Sequence, residues 1–210
     1  MKNKLTTRQL QAIETKKKIK EKALELFKDN DFENVSTTDI CKSLNISVGN
    51  FYRYYSSKEE LLMESYPTFD KYVDTEFVLH HFEKNTEAIK YLIHKQTNVA
   101  EMLGAKIYAQ MLRIQVKSEG KYVVENTRAF HICLKRLVQN AINEKEIINT
   151  YSADEVSSII LRTSRGVLLE WAMKNGHYSV SEYAVHDIDI ILNNMKTRII
   201  ENKSPAIKIL

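Results

Sequence analysis

The stretch STTDICKSLNISVGNFYRYYSSK, residues 36–58, decides the fold predicted for this chain. Ser36 and Asp39 have the spacing of a capping box, in which two side chains satisfy free backbone amides at the start of a helix. Ser47 supplies a second N-cap, and Asn45 precedes it at a position where Asn tolerates a positive φ angle better than most residues. The stretch therefore predicts two short helices joined by a tight turn, which is a helix-turn-helix.

The two faces of this motif differ in chemistry. The side chains expected to fill its core are Ile40, Leu44, Phe51 and Tyr55. The second helix then turns five residues outward: Val48, Gly49, Asn50, Arg53 and Tyr54. Asn50 can pair with adenine and Arg53 with guanine or phosphate, while Gly49 allows the helix to approach a duplex closely. Four further donors suit phosphate oxygens: Thr37, Thr38, Tyr52 and Lys58. The outward face indicates DNA binding, whereas a module used for packing alone would need none of these side chains.

Helix signals continue along the rest of the chain. Ser57, Ser152 and Ser179 each have a glutamate three residues later, as in a capping box. Apolar spacing predicts helices over residues 8–29, 37–44, 48–54, 86–100, 102–118, 122–145, 153–174 and 180–202, and one that starts at 57 and is kinked or ended by Pro67. The predicted fold is all-α, with about nine helices. A three-helix helix-turn-helix domain occupies residues 1–60, and a larger helical ligand-binding and dimerisation domain occupies 61–210.

Charge and composition narrow the class of protein. The net charge is only +4, but residues 1–20 hold seven Lys or Arg residues against one acid, Glu14. Residues 1–14 are thus either a basic extension that seeks phosphate or a solvated face. Cys41 and Cys133 are expected to be buried free thiols. We expect a cytoplasmic protein without a membrane partner, since no apolar run is long enough to cross a bilayer and the N-terminus is too polar for a signal peptide.

The run ALELFKDNDFENVSTTDICKSLNISVGNFYRYYSSKEELL resembles the N-terminal domain of TetR-family regulators over about residues 15–62. The resemblance implies that the second short helix reads DNA, that Tyr52 and Lys58 contact phosphate, and that Thr37 supports these backbone contacts. Two positions depart from the family pattern, since Asp31 and Asn45 stand where the family has glycine. Both residues tolerate left-handed geometry. Residues 1–14 extend beyond the shared pattern, either as a basic arm along the duplex or as an ordinary extension.

The resemblance also implies a function. It suggests a homodimeric repressor that binds a palindromic operator and is released by a small-molecule effector. Segment 153–174 carries apolar residues around more than half of its circumference, which points to dimerisation through it and through segment 180–202. The alternative is a TetR-like regulator without a small-molecule ligand. An enclosed cavity of roughly several hundred cubic ångströms would favour the sensor, and a filled interior the alternative.

Candidate ligand residues are aromatic or soft side chains on apolar-rich segments: Tyr91, Tyr108, Met111, His131 and Trp171. Methionine and aromatic residues at helical spacing are more often part of an ordinary core, so core packing is the favoured interpretation of each. Arg162 and Arg165 either meet an anionic ligand or form salt bridges at the dimer edge. His80, His81 and His94 lack the spacing of metal ligands, so no metal is expected. No catalytic motif is present, so neither an enzyme nor a cofactor is expected.

Overall fold

The computed structural model describes residues 6–118, 122–148 and 150–196. Its helices, numbered in chain order, are α1 Thr7–Asp29, α2 Thr37–Leu44, α3 Val48–Tyr52, α4 Lys58–Met63, α5 Ser65–Thr75, α6 Asn85–Leu103, α7 Ala105–Lys117, α8 Ala129–Asn143, α9 Ala153–Met173 and α10 Val180–Asn194. Short 3-10 turns occur at Phe32–Asn34, Phe77–Leu79 and Tyr122–Val124. The all-α prediction is confirmed. No helix within the described ranges is long and apolar enough to cross a membrane.

The first three helices form as the local signals predict. The Ser36 hydroxyl accepts from the Asp39 amide, and the Asp39 carboxylate accepts from the Ser36 amide at 2.9 Å, which completes the capping box. Hydrogen bonds from Ser36 lower the pKa of Asp39. Ser47 caps α3 by accepting from the Asn50 amide at 3.1 Å. Asn45 ends α2 in the left-handed region, with φ of 53°. Asp31 has φ of −69°, so the left-handed tolerance invoked for that residue is not used.

The helix predicted from residue 57 is interrupted at Glu64 and resumes as α5. Pro67 lies in the first turn of α5, where the missing amide hydrogen costs little because first-turn amides have no partner within the helix. The interruption raises the number of α-helices in the described ranges to ten.

Several predicted boundaries were wrong. Helix α7 begins at Ala105 rather than at residue 102, and α10 ends at Asn194, before the predicted end of the last helix. Helix α3 ends at Tyr52 rather than at residue 54, because Arg53 and Tyr54 form a turn. Helix α6 continues to Leu103, where Gly104 ends it with φ of 91°. Helix α8 begins at Ala129 rather than 122, because Tyr122–Val124 forms a separate 3-10 turn. Residues 197–202 of the last predicted helix lie outside the described ranges.

Helices α5 to α10 enclose the larger core. Helix α10 packs along α6 through its apolar stripe, and Ile188, Leu192 and Met195 are buried within the chain itself. Helix α9 packs against α7, α8 and α10. The thiols Cys41 and Cys133 are both buried and free, as expected, and burial raises the pKa of each.

A buried carboxylate fixes α5 against α8. Asp70 of α5 accepts from the Arg128 guanidinium at 2.9 and 3.2 Å, from the Tyr122 hydroxyl at 2.6 Å and from the Phe130 amide at 3.1 Å. The last bond satisfies a free amide in the first turn of α8, so a side chain remote in sequence caps this helix. Arg128 also lies over the rings of Tyr66 and Tyr122.

Replacing Asp70 by Ala should lower the free energy of unfolding by about 3–5 kcal/mol, because it leaves the buried Arg128 guanidinium without its counter-charge. Urea unfolding followed by circular dichroism measures the loss. The double variant Asp70→Leu with Arg128→Met is the control, and it should recover most of the stability because no charge remains buried. A loss below about 1 kcal/mol for the single variant would contradict this account of the pair.

Candidate nucleic-acid interface

The outer face of α3 carries most of the side chains singled out from the sequence. Phe51 is fully buried beneath it. Val48 is 38% exposed and Tyr52 is 54% exposed, and Gly49 and Arg53 are exposed as well. Asn50 and Tyr54 are half-buried, and Tyr54 packs against the core. The most accessible part of the face is therefore Gly49, Tyr52 and Arg53.

Gly49 leaves space in front of α3. A Cβ atom added to this residue would meet only the Ser47 hydroxyl, at 4.0 Å. Nothing inside the described chain therefore requires a glycine here, and its φ is not in the left-handed region. Glycine destabilises a helix interior relative to alanine by about 0.5–1 kcal/mol, so its presence fits close approach by another molecule.

The first turn of α2 lies beside α3 and presents two hydroxyls. Thr38 is exposed and Thr37 is half-buried. Both follow the capped Ser36, so the backbone that carries them is held by the capping box.

Lys58 is held inside the domain. Its ammonium donates to the carbonyl oxygens of Phe32 at 2.6 Å and Val35 at 2.9 Å, and lies 4.3 Å from the centre of the Phe32 ring. The side chain thus ties the start of α4 to the loop before α2. An ammonium has three N–H donors, so one remains beyond these two bonds.

The basic residues of α1 divide into two groups. Lys16 and Lys20 form ion pairs with Glu64, whereas Lys17 and Lys18 pair with glutamates one turn away along α1. The extension is helical from Thr7 onward, since Thr6 and Gln9 form a capping box at its start. Residues 1–5 lie outside the described ranges.

Glu64 stands where α4 ends and joins the helix-turn-helix to the rest of the chain. Its carboxylate accepts from the Tyr55 hydroxyl at 2.8 Å and pairs with Lys16 and Lys20 of α1. Burial alone would raise the pKa of Glu64, but the hydrogen bonds from Lys16 and Tyr55 and the charge of Lys20 outweigh it and lower the pKa. A second set of contacts links the domains at α7, where Arg113 pairs with Glu33 at 2.6 Å.

The structure brings only three of the five candidate ligand residues together, since the ring centres of Tyr108 and Trp171 lie 6.2 Å apart and Met111 lines the same cavity as Tyr108. Tyr108 and Met111 line a small cavity of about 20 Å³ between α5, α6 and α7. Trp171 is buried and donates to the Tyr178 carbonyl at 2.9 Å. Tyr91 packs in a separate aromatic cluster with His80 and Phe77. His131 contacts Arg165, and none of these last three lines the cavity.

Other residues of that cavity were missed by the sequence reasoning. Ser65, Tyr66, Gln96 and Arg128 line it together with Tyr108 and Met111. No local sequence pattern predicts how the helices that carry Tyr66 and Gln96 pack. Arg162 and Arg165 were the only residues of this region for which the sequence indicated a polar ligand.

Comparison with known proteins agrees with this architecture. Residues 19–64 match the family described as bacterial regulatory proteins, tetR family. The HTH-type transcriptional regulator UidR of Escherichia coli strain K12 is 25% identical over 169 residues, which cover 77% of this chain and 84% of UidR. Salmonella enterica GusR superposes with a TM-score of 0.64 at 19% identity, covering 91% of this chain and 100% of GusR. The regulator FadR from Bacillus subtilis, in complex with stearoyl-CoA, superposes with a TM-score of 0.63 at 16% identity, covering 85% of this chain and 98% of FadR.

Glu64→Gln should lower the free energy of unfolding at pH 7 by about 1–2 kcal/mol, because it removes the charge that Lys16, Lys20 and Tyr55 contact. The folded-state pKa lies below the ordinary value of 4.5, so this stabilisation is complete above pH 4.5 and is lost as the pH falls through the folded-state pKa. Urea unfolding of both proteins across that range measures the difference. The free energies of unfolding of the unmodified protein and of Glu64→Gln should become equal in acid. A difference that persists there would rule out this role for the Glu64 charge.

Proposed function

We propose that this chain, a TetR-family transcriptional regulator, binds operator DNA as a homodimer and represses transcription in the cytoplasm until a small-molecule effector releases it. One observation carries the DNA-binding part. Helix α3 and the turn that follows it expose Gly49, Tyr52 and Arg53, and they lie within residues 19–64, which match the family model. A recognition helix in the major groove needs such a surface, because packing leaves these side chains free for contacts with DNA.

The proposed contacts divide by chemistry. Asn50 and Arg53 read base edges, and Val48 supplies an apolar contact of the kind made to a thymine methyl group. Thr37, Thr38, Tyr52 and Tyr54 donate hydroxyl hydrogen bonds to phosphate oxygens, which set register without reading sequence. Lys58 contacts phosphate through its one remaining N–H, so its charge acts on DNA from a fixed position.

The proposed dimer interface is the outer face of α9 and α10. Four large apolar side chains stand exposed on these two helices: Leu169, Met173, Tyr183 and Ile190. Gly166 lies on the same side of α9, and a Cβ atom there would meet nothing within 4 Å. Exposed apolar side chains beside a residue that permits close helix approach suit a partner helix. A two-fold dimer then presents two copies of α3 to a palindromic operator.

The effector is proposed to bind in the interior around Tyr108 and Met111. FadR from Bacillus subtilis, which has a similar fold, was solved in complex with stearoyl-CoA, so this fold is compatible with ligand binding. One observation favours the alternative of a regulator without an effector, because the cavity that Tyr108 and Met111 line has a volume of only about 20 Å³. That volume accommodates about one water-sized group. A sensor therefore requires a second, expanded state.

Release of the operator DNA is explained by the way in which the two domains are joined. A ligand that expands the cavity displaces α5, whose residues Tyr66 and Phe69 line it. Helix α5 begins one residue after α4 ends, and Glu64 between them contacts α1. We propose that this displacement pivots the helix-turn-helix near Pro67 and changes the spacing of the two copies of α3. Any ligand with higher affinity for the spread state then lowers operator affinity.

Asn50→Ala and Arg53→Ala should each reduce discrimination against wrong bases by about 1–3 kcal/mol at one position of the operator. Selection from random duplexes, followed by competition binding on single-base variants, measures this change. Lys135→Ala is the control, because Lys135 lies on α8 and its ammonium pairs with Asp154. Equal loss of affinity for every duplex, with preference retained, would assign these side chains to phosphate contact instead.

Leu169→Arg should convert the dimer into a monomer, because it places a charge in the centre of the apolar face. Light scattering measures the mass of the protein. Operator affinity should fall by about 100-fold, because two linked DNA-binding domains bind far more tightly than one. Leu79→Arg is the matched control, since Leu79 is 80% exposed and lies outside α9 and α10. A Leu169→Arg protein that stays dimeric would exclude this face.

A further inference from the structure

Positive charge exceeds negative charge beside the interior cavity. Arg128 lines the cavity and is balanced by Asp70. Arg165 of α9 is a second, half-buried guanidinium, and it donates to the Val123 carbonyl at 2.9 Å and to the His131 ring at 3.2 Å. No carboxylate of the described ranges forms an ion pair with Arg165. Burial and the charge of Arg128 lower the pKa of Arg165, yet arginine keeps its charge at neutral pH.

His131 does not supply the missing negative charge. Burial, followed by the charge of Arg128, lowers the pKa of His131 to about 4, so its ring is neutral at pH 7. Its Nδ1 atom lies 2.7 Å from the Glu125 carbonyl and is the donor, which leaves Nε2 to accept from Arg165. The imidazole thus orients the guanidinium without neutralising it.

A buried hydroxyl without a partner lies in the same cavity. Tyr66 is only 6% exposed, and its hydroxyl has no hydrogen-bond partner among the described residues. Burial raises the pKa of Tyr66 to about 12, so the hydroxyl carries a proton that it can donate. Arg128 and Arg165 both interact electrostatically with this group. Buried polar groups in folded proteins almost always form a hydrogen bond, so an acceptor for the Tyr66 hydroxyl is expected.

The rest of the lining excludes a cationic ligand. The cavity is bounded by polar side chains of Ser65, Gln96 and Tyr108 and by the apolar side chains of Phe69 and Met111, and none of its lining residues is acidic. Buried guanidinium groups attract anions strongly, because the surroundings screen charge less than water does.

We propose that the interior site of this chain binds a small organic carboxylate. The Tyr66 hydroxyl donates to the carboxylate in the field of Arg128 and Arg165, and the organic body lies against Phe69 and Met111. This inference rests on the proposed effector site and names the chemistry of its ligand. The site must expand to admit such a molecule, so the ligand binds one of two states of the domain in preference to the other.

The test compares carboxylates with their neutral amides. Full-length protein is titrated with benzoate, phenylacetate and hexanoate, and in parallel with benzamide, phenylacetamide and hexanamide, by calorimetry and thermal unfolding. At least one acid should bind and raise the melting temperature, whereas its amide should bind about 10- to 100-fold more weakly, because charge-assisted hydrogen bonds are the stronger class. No binding by any of the three acids, or equal binding by acid and amide, overturns the proposal.

Two variants separate recognition from folding. Arg165→Gln removes the charge but keeps a polar amide at this position, and it should weaken carboxylate binding by about 10- to 100-fold. Tyr66→Phe should weaken binding as well, while the melting temperature without ligand stays the same or rises because the hydroxyl has no partner to lose. A fall of several degrees for ligand-free Tyr66→Phe would show an internal partner and contradict the proposal. Arg136→Gln, an exposed guanidinium on α8, is the control and should bind like the unmodified protein.

Operator binding in the same experiment distinguishes the two proposals. A carboxylate that binds the unmodified protein but leaves operator affinity unchanged supports the anion site and overturns release by an effector at this site. A neutral molecule that binds this cavity and lowers operator affinity, with all acids inactive, supports the effector site and overturns its anionic character.

Discussion

The Glu64 carboxylate joins three parts of the chain where the helix-turn-helix meets the helices that follow it. Glu64 lies between α4 and α5, and it holds Tyr55 of the DNA-binding domain together with Lys16 and Lys20 of α1. Hydrogen bonds to an ionised group are stronger than neutral ones. The charge of Glu64 therefore holds α1 against the junction between α4 and α5. The interruption of the helix at the same residue lets the two segments differ in direction.

Most of the DNA-binding domain could be predicted from sequence because its determinants are local. The N-caps Ser36, Ser47 and Ser57 each act on an amide three residues away, and all three form the predicted bond. The left-handed Asn45 likewise needs only its own side chain and its neighbours. Exposure was harder to predict, since Tyr54 faces outward on an ideal helix but packs against the core once α3 ends at Tyr52.

Interactions between residues remote in sequence explain what could not be predicted. Lys58 bonds carbonyls more than twenty residues earlier, which no periodicity of its own segment indicates. The start of α8 was misplaced for the same reason, because Asp70 of α5 provides its cap. The cavity residue Tyr66 carries no local signal either, since a tyrosine on an apolar face is usually core. Arg162 and Arg165, two charges on a helix rich in apolar residues, could be singled out from sequence, but nothing there decides between a ligand and a salt bridge as their partner.

A cavity of about 20 Å³ beside two arginines favours a regulator without an effector unless the domain has a second, expanded state. A large preformed cavity would bind ligand with little change in shape, and a ligand with equal affinity for both states shifts nothing. In a cavity that is too small, a ligand binds only after the surrounding helices separate. It therefore has higher affinity for the expanded state than for the compact one. The excess charge and the free Tyr66 hydroxyl then provide favourable interactions that exist only in the expanded, occupied state. Part of that binding energy is spent on displacing α5, and this coupling is what a ligand-dependent repressor requires.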